Sequence, residues 1–203
     1  HHHWLQTGQN PPTRPEAAEL LPAEREQEAE LLFEQLHAKG EDAEPDRIGA
    51  AYKLASIGDV EMAVRLLNLA LYTERESVRR AATYGLIALG PDATDVLLEA
   101  ARSPIKWVRK AGVHGLGDAG VLTQEVFQAV ATCLREDSSV YVRSVAAESL
   151  GGLGRRAIAT GVGKSLIPGC LEALTQSLSR EKNRLCMNVV QNRSLKYARP
   201  TDD

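Results

Sequence analysis

The stretch VRKAGVHGLGDAG, residues 108–120, carries the pattern that predicts the fold. Its apolar and small residues lie on one side of a helix, because from Val108 to Ala119 they recur at the i, i+3, i+4, i+7, i+8 and i+11 spacing. Gly120 follows as a helix stop, since glycine takes the left-handed conformation without a Cβ penalty. The stretch therefore predicts a packed helix with a terminating glycine rather than a catalytic loop.

Three further copies of this stretch align with it without gaps. They are DRIGAAYKLASIG at 46–58, VRRAATYGLIALG at 78–90 and VRSVAAESLGGLG at 142–154. All four copies share an arginine at the second position, a small residue at the fifth, leucine at the ninth and glycine at the thirteenth. Successive copies start 32, 30 and 34 residues apart, which indicates a repeat array.

A second apolar segment follows each copy, at 59–72, 91–103, 121–137 and, after an insertion, 164–180. The unit is therefore helix, glycine turn, helix, and we expect an all-α fold, an α-solenoid of about four such pairs with capping helices at both ends. The predicted divisions are a proline-rich arm or linker at 1–21, an N-terminal capping helix and loop at 22–45, the repeats at 46–180, and a C-terminal capping helix and tail at 181–203.

Composition agrees with closely packed helices. Hydrophobic residues make up 43% of the chain but aromatic residues only 4%, so alanine, leucine, valine and isoleucine must form the core. Residues 1–50 carry 4 basic and 11 acidic groups, whereas residues 104–203 carry 14 and 9. Cys133, Cys170 and Cys186 lack metal-ligand spacing, which predicts reduced thiols and a cytoplasmic location. No apolar run is long enough to predict a membrane span.

The V-R start of three copies and the L-x-x-x-G end of all four resemble HEAT-like repeats, especially the short type of about thirty residues found in phycobilisome lyase-like proteins. The resemblance covers residues 46 to about 180. It implies a solenoid that acts mainly as a binding surface. It also implies that the repeated arginine pairs with acidic or carbonyl groups of the adjacent repeat, as a structural ladder. The ladder residues are Arg47, Arg79, Arg109 and Arg143.

The sequence predicts no catalytic, cofactor-binding or metal-binding residue. TGVGKS at 160–165 resembles the end of a phosphate-binding loop, but Ile158 stands where that pattern needs glycine, so an inter-helix loop is favoured. HEAT-like enzymes similar to deoxyhypusine hydroxylase hold metal through His-Glu dipeptides, and the chain has none. His114 and Asp118 are peculiar to their copy, and Trp107 fits either a packing or a contact role. The sequence assigns no function to these three residues.

A noncatalytic scaffold that mediates protein–protein interaction is the favoured function. The second helices are predicted to present Arg65, Asn68, Glu99, Arg102, Gln128 and Arg135 to a protein partner. They carry no basic stripe, which argues against nucleic acid as the partner. Two alternatives stay open. The proline-rich arm and a start without methionine suggest the C-terminal repeat tail of a larger enzyme, such as a phytanoyl-CoA dioxygenase-like protein, and the repeat type suggests a phycobilin lyase-like chaperone or lyase. The oligomeric state is not predicted.

Overall fold

The computed structural model describes residues 20–197, with side chains up to Lys182 and that of Arg184. Within this range all regular secondary structure is helical, which confirms the predicted all-α fold. The helices are α1 (Pro22–Leu36), α2 (Glu44–Ala55), α3 (Val60–Leu71), α4 (Glu76–Leu89), α5 (Thr94–Ala101), α6 (Lys106–Asp118), α7 (Gln124–Glu136), α8 (Val140–Thr160) and α9 (Ile167–Tyr197). Residues 1–19 of the predicted arm lie outside the described residues.

The helices alternate as the repeat pattern predicts. The four aligned copies form α2, α4, α6 and α8, and the second segments form α3, α5, α7 and the first half of α9. Each first helix packs against the next first helix, and α5, α7 and α9 contact one another in the same order. Because each helix pair contacts mainly its neighbours along the chain, the array is an α-solenoid.

Glycine closes the first helix at three of the four predicted positions. Gly58, Gly90 and Gly120 have φ angles of 87°, 59° and 77°, where a side chain would be strained. The prediction for Gly154 is wrong, because this residue lies inside α8, which continues to Thr160 and ends at Gly161. Residues 155–160 contain neither glycine nor proline, so nothing in that stretch interrupts the helical hydrogen bonds.

Small side chains set the spacing between helices. Alanine, leucine and valine side chains from α1 to α9 form one buried cluster. At Gly112 of α6, an added Cβ would lie 2.5 Å from the backbone nitrogen of Ala101 and 2.8 Å from the carbonyl carbon of Ala100. A backbone cannot move aside as a flexible side chain can, so glycine is required for α6 to approach α5 this closely.

The two ends of the array differ from each other. The predicted division at residue 181 does not separate two helices, because α9 runs unbroken from Ile167 to Tyr197. No glycine or proline occurs from residue 170 to 197, which explains the continuity. At the other end, α1 packs against α2 and buries Ala29, Leu32 and Leu36. Among the described residues, no helix is both long enough and apolar enough to cross a membrane.

Candidate functional site

The arginine repeated in every copy binds carbonyl groups in the turn that leads into its own helix. Nη1 of Arg79 donates to the carbonyl oxygens of Thr73 and Glu74, at 3.0 and 3.3 Å. The matching pairs, at 2.9 to 3.3 Å, are Arg47 with Ala38 and Gly40, Arg109 with Ser103 and Pro104, and Arg143 with Asp137 and Ser138. Carbonyl groups in a turn have no partners in a regular helix, so each arginine satisfies two of them.

Two of these arginines also bind an acidic side chain further along the chain. Arg109 holds Asp137 in a bidentate pair, with Nε to Oδ2 at 2.8 Å and Nη2 to Oδ1 at 3.0 Å. Nε of Arg143 donates to Oε1 of Glu181 at 2.7 Å. The bonds to Asp137 raise the pKa of Arg109. Burial alone would raise the pKa of Asp137, but the hydrogen bonds from Arg109 and from the Ser139 N–H lower it below its ordinary value.

The first two arginines have no acidic group at the position that Asp137 occupies for Arg109. The aligned residue is Thr73 for Arg47 and Ser103 for Arg79. Nε of Arg47 is buried with no hydrogen-bond partner, and burial lowers the pKa of Arg79. The arginine column therefore uses ion pairs to link α6 to the turn before α8, and α8 to α9. The two earlier copies bind backbone carbonyls instead.

The structure brings four of the six predicted partner-facing residues into neighbouring grooves on the second-helix side. Glu99 and Arg102 line a groove of about 470 Å³ at the end of α5. Arg102 and Gln128 line a groove of about 410 Å³ between α5 and α7. Gln128 and Arg135 line a third, of about 220 Å³, between α7 and α9. We call the first two, which share Arg102 and Glu125, the acidic groove.

The other two predicted residues lie apart from these grooves. Arg65 and Asn68 are on α3, where Arg65 is exposed and Asn68 is partly buried. Oδ1 of Asn68 is buried with no hydrogen-bond partner among the described residues. Neither side chain lines the three grooves described above, so the predicted surface does not form one continuous patch.

Sequence reasoning missed several residues that line the acidic groove. Asp95 and Glu125 are exposed there, and Tyr72 lies at the α3 side. Burial and the negative charge of Glu99 raise the pKa of Tyr72. The four-residue spacing from Asp95 to Glu99 places both on one face of α5 and could have revealed that pair. Tyr72 joins them only because the end of α3 lies beside α5, which no local pattern predicts.

The first-helix side carries a different groove, of about 260 Å³, lined by residues of α4, α6 and α8 that include Trp107 and His114. The Trp107 side chain is 49% exposed, with Nζ of Lys106 4.6 Å from its ring centroid, so Trp107 does not act as a buried plug. Nε2 of His114 lies 3.0 Å from Oδ2 of Asp118, and the ring of Tyr84 stands edge-on to His114 at 6.3 Å. His114 and Asp118, the two residues peculiar to this copy, therefore contact each other across one turn of α6.

The two cysteine thiols whose side chains are described are buried. Cys133 and Cys170 are buried thiols, and burial raises the pKa of each to about 11. No group of three or more histidine, cysteine or acidic side chains within the described range could hold a metal ion. The side chain of Cys186 lies outside the described side chains, and the cytoplasmic location inferred from the cysteines stays a prediction.

The fold defines the class of protein, which is a helical repeat protein. Residues 63–151, from α3 into α8, match the HEAT repeat family. These residues are HEAT-like repeats, and the phycobilisome lyase-like type stays a prediction. The chain is similar to a crystal structure of an engineered protein, with 16% identity and a TM-score of 0.38 over 75% of this chain and 79% of that chain. Among curated proteins, no sequence matches the chain.

Proposed function

We propose that the chain is a noncatalytic scaffold that binds a protein partner along the acidic groove. The observation that carries this proposal is a set of exposed charges without partners of their own. Within the described part of the chain, no side-chain hydrogen bond or ion pair involves the groove residues Asp95, Glu99, Arg102, Glu125 and Glu136. By contrast, each arginine of the arginine column donates hydrogen bonds within the chain. Exposed, unsatisfied charges on a rigid scaffold are available to a partner.

The chemistry of the groove selects a positively charged partner. Five carboxylates line the groove with one guanidinium, that of Arg102. Asp137 is paired with Arg109, which leaves the carboxylates of Asp95, Glu99, Glu125 and Glu136 for a partner. The two parts of the groove adjoin along α5 and α7, which suits an extended segment better than a compact ligand. Nucleic acid is disfavoured, because its phosphates would meet the same carboxylates.

An aromatic ring strengthens the case for lysine or arginine in the partner. Tyr72 lines the groove beside Glu99, and its side chain is partly exposed. A cation that rests on the face of an aromatic ring gains about 0.5–1 kcal/mol at an exposed site. The carboxylate of Glu99 can bind the same cation, so ring and carboxylate together would recognise a basic side chain.

Fluorescence anisotropy of labelled peptides tests the proposal by measuring their Kd for the chain. The peptides are short and rich in lysine and arginine, and acidic peptides of the same length are the negative control. We expect the basic peptides to bind, and the Kd to rise with salt because the contacts are exposed. Replacing Glu99 and Glu125 together by lysine should raise the Kd by at least about tenfold. The matched control replaces Glu30 and Glu34 of α1 by lysine, which makes the same charge change away from the groove.

Three outcomes would reject the acidic groove as the binding site. The first is that no basic peptide binds, and the second is equal binding of basic and acidic peptides. The third is an equal loss of affinity in the α1 control, because net charge rather than the groove would then explain the effect. Far-UV circular dichroism on both variants verifies that the helices remain intact.

A further inference from the structure

At the C-terminal end of the array, α8 carries small apolar residues at positions that the next helix covers in an internal repeat. On α6, Val113 and Gly117 face α8, since Oγ of Ser149 donates to the Val113 carbonyl at 3.1 Å and a Cβ on Gly117 would lie 2.6 Å from Cβ of Ser149. The aligned positions one repeat later are Ala147 and Gly151 of α8. They are only partly buried and face the end of the array, where the described chain has no further repeat.

Larger apolar side chains extend this stripe along α8. Val140 lies seven residues before Ala147, and Ile158 lies seven residues after Gly151. Seven residues are two helical turns, so all four residues share one side of the helix. The side chains of Val140 and Ile158 are 54% and 63% exposed. These four residues therefore form an apolar stripe along α8, and Nη1 of Arg155 lies beside it, 3.4 Å from the position that a Cβ on Gly151 would take.

Helix α9 adds leucines beside this stripe. The buried residues Cys170 and Ala173 of α9 match Val126 and Ala129 of α7, which are also buried and three residues apart. In this register Leu171 and Leu178 take the positions of Phe127 and Leu134, which are 4% and 1% exposed, and Phe127 lines the groove toward α9. Leu171 and Leu178 themselves are 61% and 74% exposed, so the last second helix exposes two apolar positions that an internal one buries. We call the side of α8 and α9 that bears Val140, Ile158, Leu171 and Leu178 the end face.

The opposite end of the array is capped by α1, whose exposed residues are mainly acidic. Helix α1 exposes Glu24, Glu26, Glu30 and Glu34, with Leu31 as an exposed large apolar residue on the same helix. Terminal repeats need such a polar outer face because no further repeat covers them. The end face lacks this property, and its exposed side chains favour burial.

We propose that the end face binds the same face of a second copy of the chain. A face whose apolar groups lie along two adjacent helices can bury all of them against its own copy, whereas α1 of another copy offers chiefly Leu31 among carboxylates. Contact through one identical patch gives a closed twofold dimer, the commonest symmetry of soluble oligomers.

The size of the end face is sufficient for such a dimer. Helix α8 has 21 residues, and the side chains described in α9 begin at Ile167 and extend to Lys182. At 1.5 Å per residue and about 10 Å in width, these helices present roughly 550 Å² per copy, or about 1,100 Å² in total. A specific interface must bury about 1,000 Å² or more, so the end face meets this requirement.

Sedimentation equilibrium of the full chain, from about 1 to 200 μM, tests the proposal across the affinity range of moderate dimers. We expect the mass to rise from one chain to two and to stop there. The variant with Leu171→Gln and Leu178→Arg replaces both exposed leucines of α9 by polar residues. It should shift the dimerisation midpoint to at least about tenfold higher concentration. The control Leu31→Gln on α1 should leave the midpoint unchanged.

Each other result would overturn the proposal. A single-chain mass at every concentration would show that the end face does not pair, and growth beyond two chains would show head-to-tail assembly. A dimer that persists unchanged in the double variant, with helix content verified by circular dichroism, would place the interface elsewhere. If the double variant loses helix content, Ile158→Gln on α8 takes its place with the same criterion. The monomeric variant should bind basic peptides with the same Kd as the wild-type chain, because the acidic groove is unchanged. Failure of the dimer proposal is therefore distinguishable from failure of the proposed function.

Discussion

Replacing Asp137 by alanine should destabilise the array by about 2 kcal/mol. Removing one partner of a fully buried ion pair costs about 3–5 kcal/mol, because the other charge is left uncompensated. The Asp137 and Arg109 side chains are 6% and 16% exposed, so solvent reduces the penalty. Arg109 also keeps its bonds to the Ser103 and Pro104 carbonyls, which leaves its guanidinium partly satisfied. These two effects lower the expected loss of stability from about 3–5 kcal/mol to about 2 kcal/mol.

Urea unfolding followed by far-UV circular dichroism measures this loss. For a chain of this length, 2 kcal/mol corresponds to a fall in Tm of about 4–8 °C. The neighbouring substitution Glu136→Ala is the matched control, because Glu136 is exposed and should change the free energy of unfolding by less than about 0.5 kcal/mol. Adding Arg109→Ala to Asp137→Ala completes a double-mutant cycle, in which we expect a coupling energy of about 1–2 kcal/mol.

If Asp137→Ala were no more destabilising than Glu136→Ala, the ion pair between Asp137 and Arg109 would not stabilise the fold. A coupling energy near zero would show that the pair adds nothing to the carbonyl contacts of Arg109. If Arg109→Ala instead left Tm unchanged but abolished peptide binding, the arginine column would be a binding site rather than a structural ladder.

The response to acid and two glycine substitutions provide three further tests. The pKa of Asp137 is lower in the folded state than in the unfolded state. Its contribution to stability is therefore present above the unfolded pKa of about 3.9 and is lost as pH falls through the folded value. When Tm is measured at decreasing pH, the wild type should show this loss, and Asp137→Ala should show less of it. Gly112→Ala should cost about 1–3 kcal/mol by urea unfolding, since its Cβ would meet the Ala101 backbone. Gly154→Ala should raise the free energy of unfolding by about 0.5–1 kcal/mol, because alanine favours a helix more than glycine does. The added Cβ would have no atom outside the local helix backbone within 4 Å. A lower Tm would contradict this prediction.

The helix pairs were predictable because their signals are local. Four copies with arginine, small residue, leucine and glycine at equal spacing specify the first helix, and the turns at Gly58, Gly90 and Gly120 follow from the conformational freedom of glycine. The local signal failed where one glycine had two possible roles. Gly154 aligns with three helix ends, but the sequence beyond it continues the helix as far as Gly161.

The candidate site depended on contacts between segments distant in sequence. Arg109 and Asp137 are 28 residues apart, and Tyr72 lies beside Glu99 only because α3 and α5 belong to adjacent pairs. Spacing within a helix specifies which side is buried, but not which residue of another helix lies opposite it. That choice comes from side-chain packing, such as the close approach at Gly112.

The sequence by itself therefore determined the repeat unit, the number of pairs and the position of the arginine column. The packing of whole helices determines that five carboxylates gather in one groove, that α9 continues past residue 181, and that Leu171 and Leu178 lie exposed at the end of the array. The physical reason is that helix formation depends on neighbours within about one turn, whereas a groove or an end face depends on how whole helices stack.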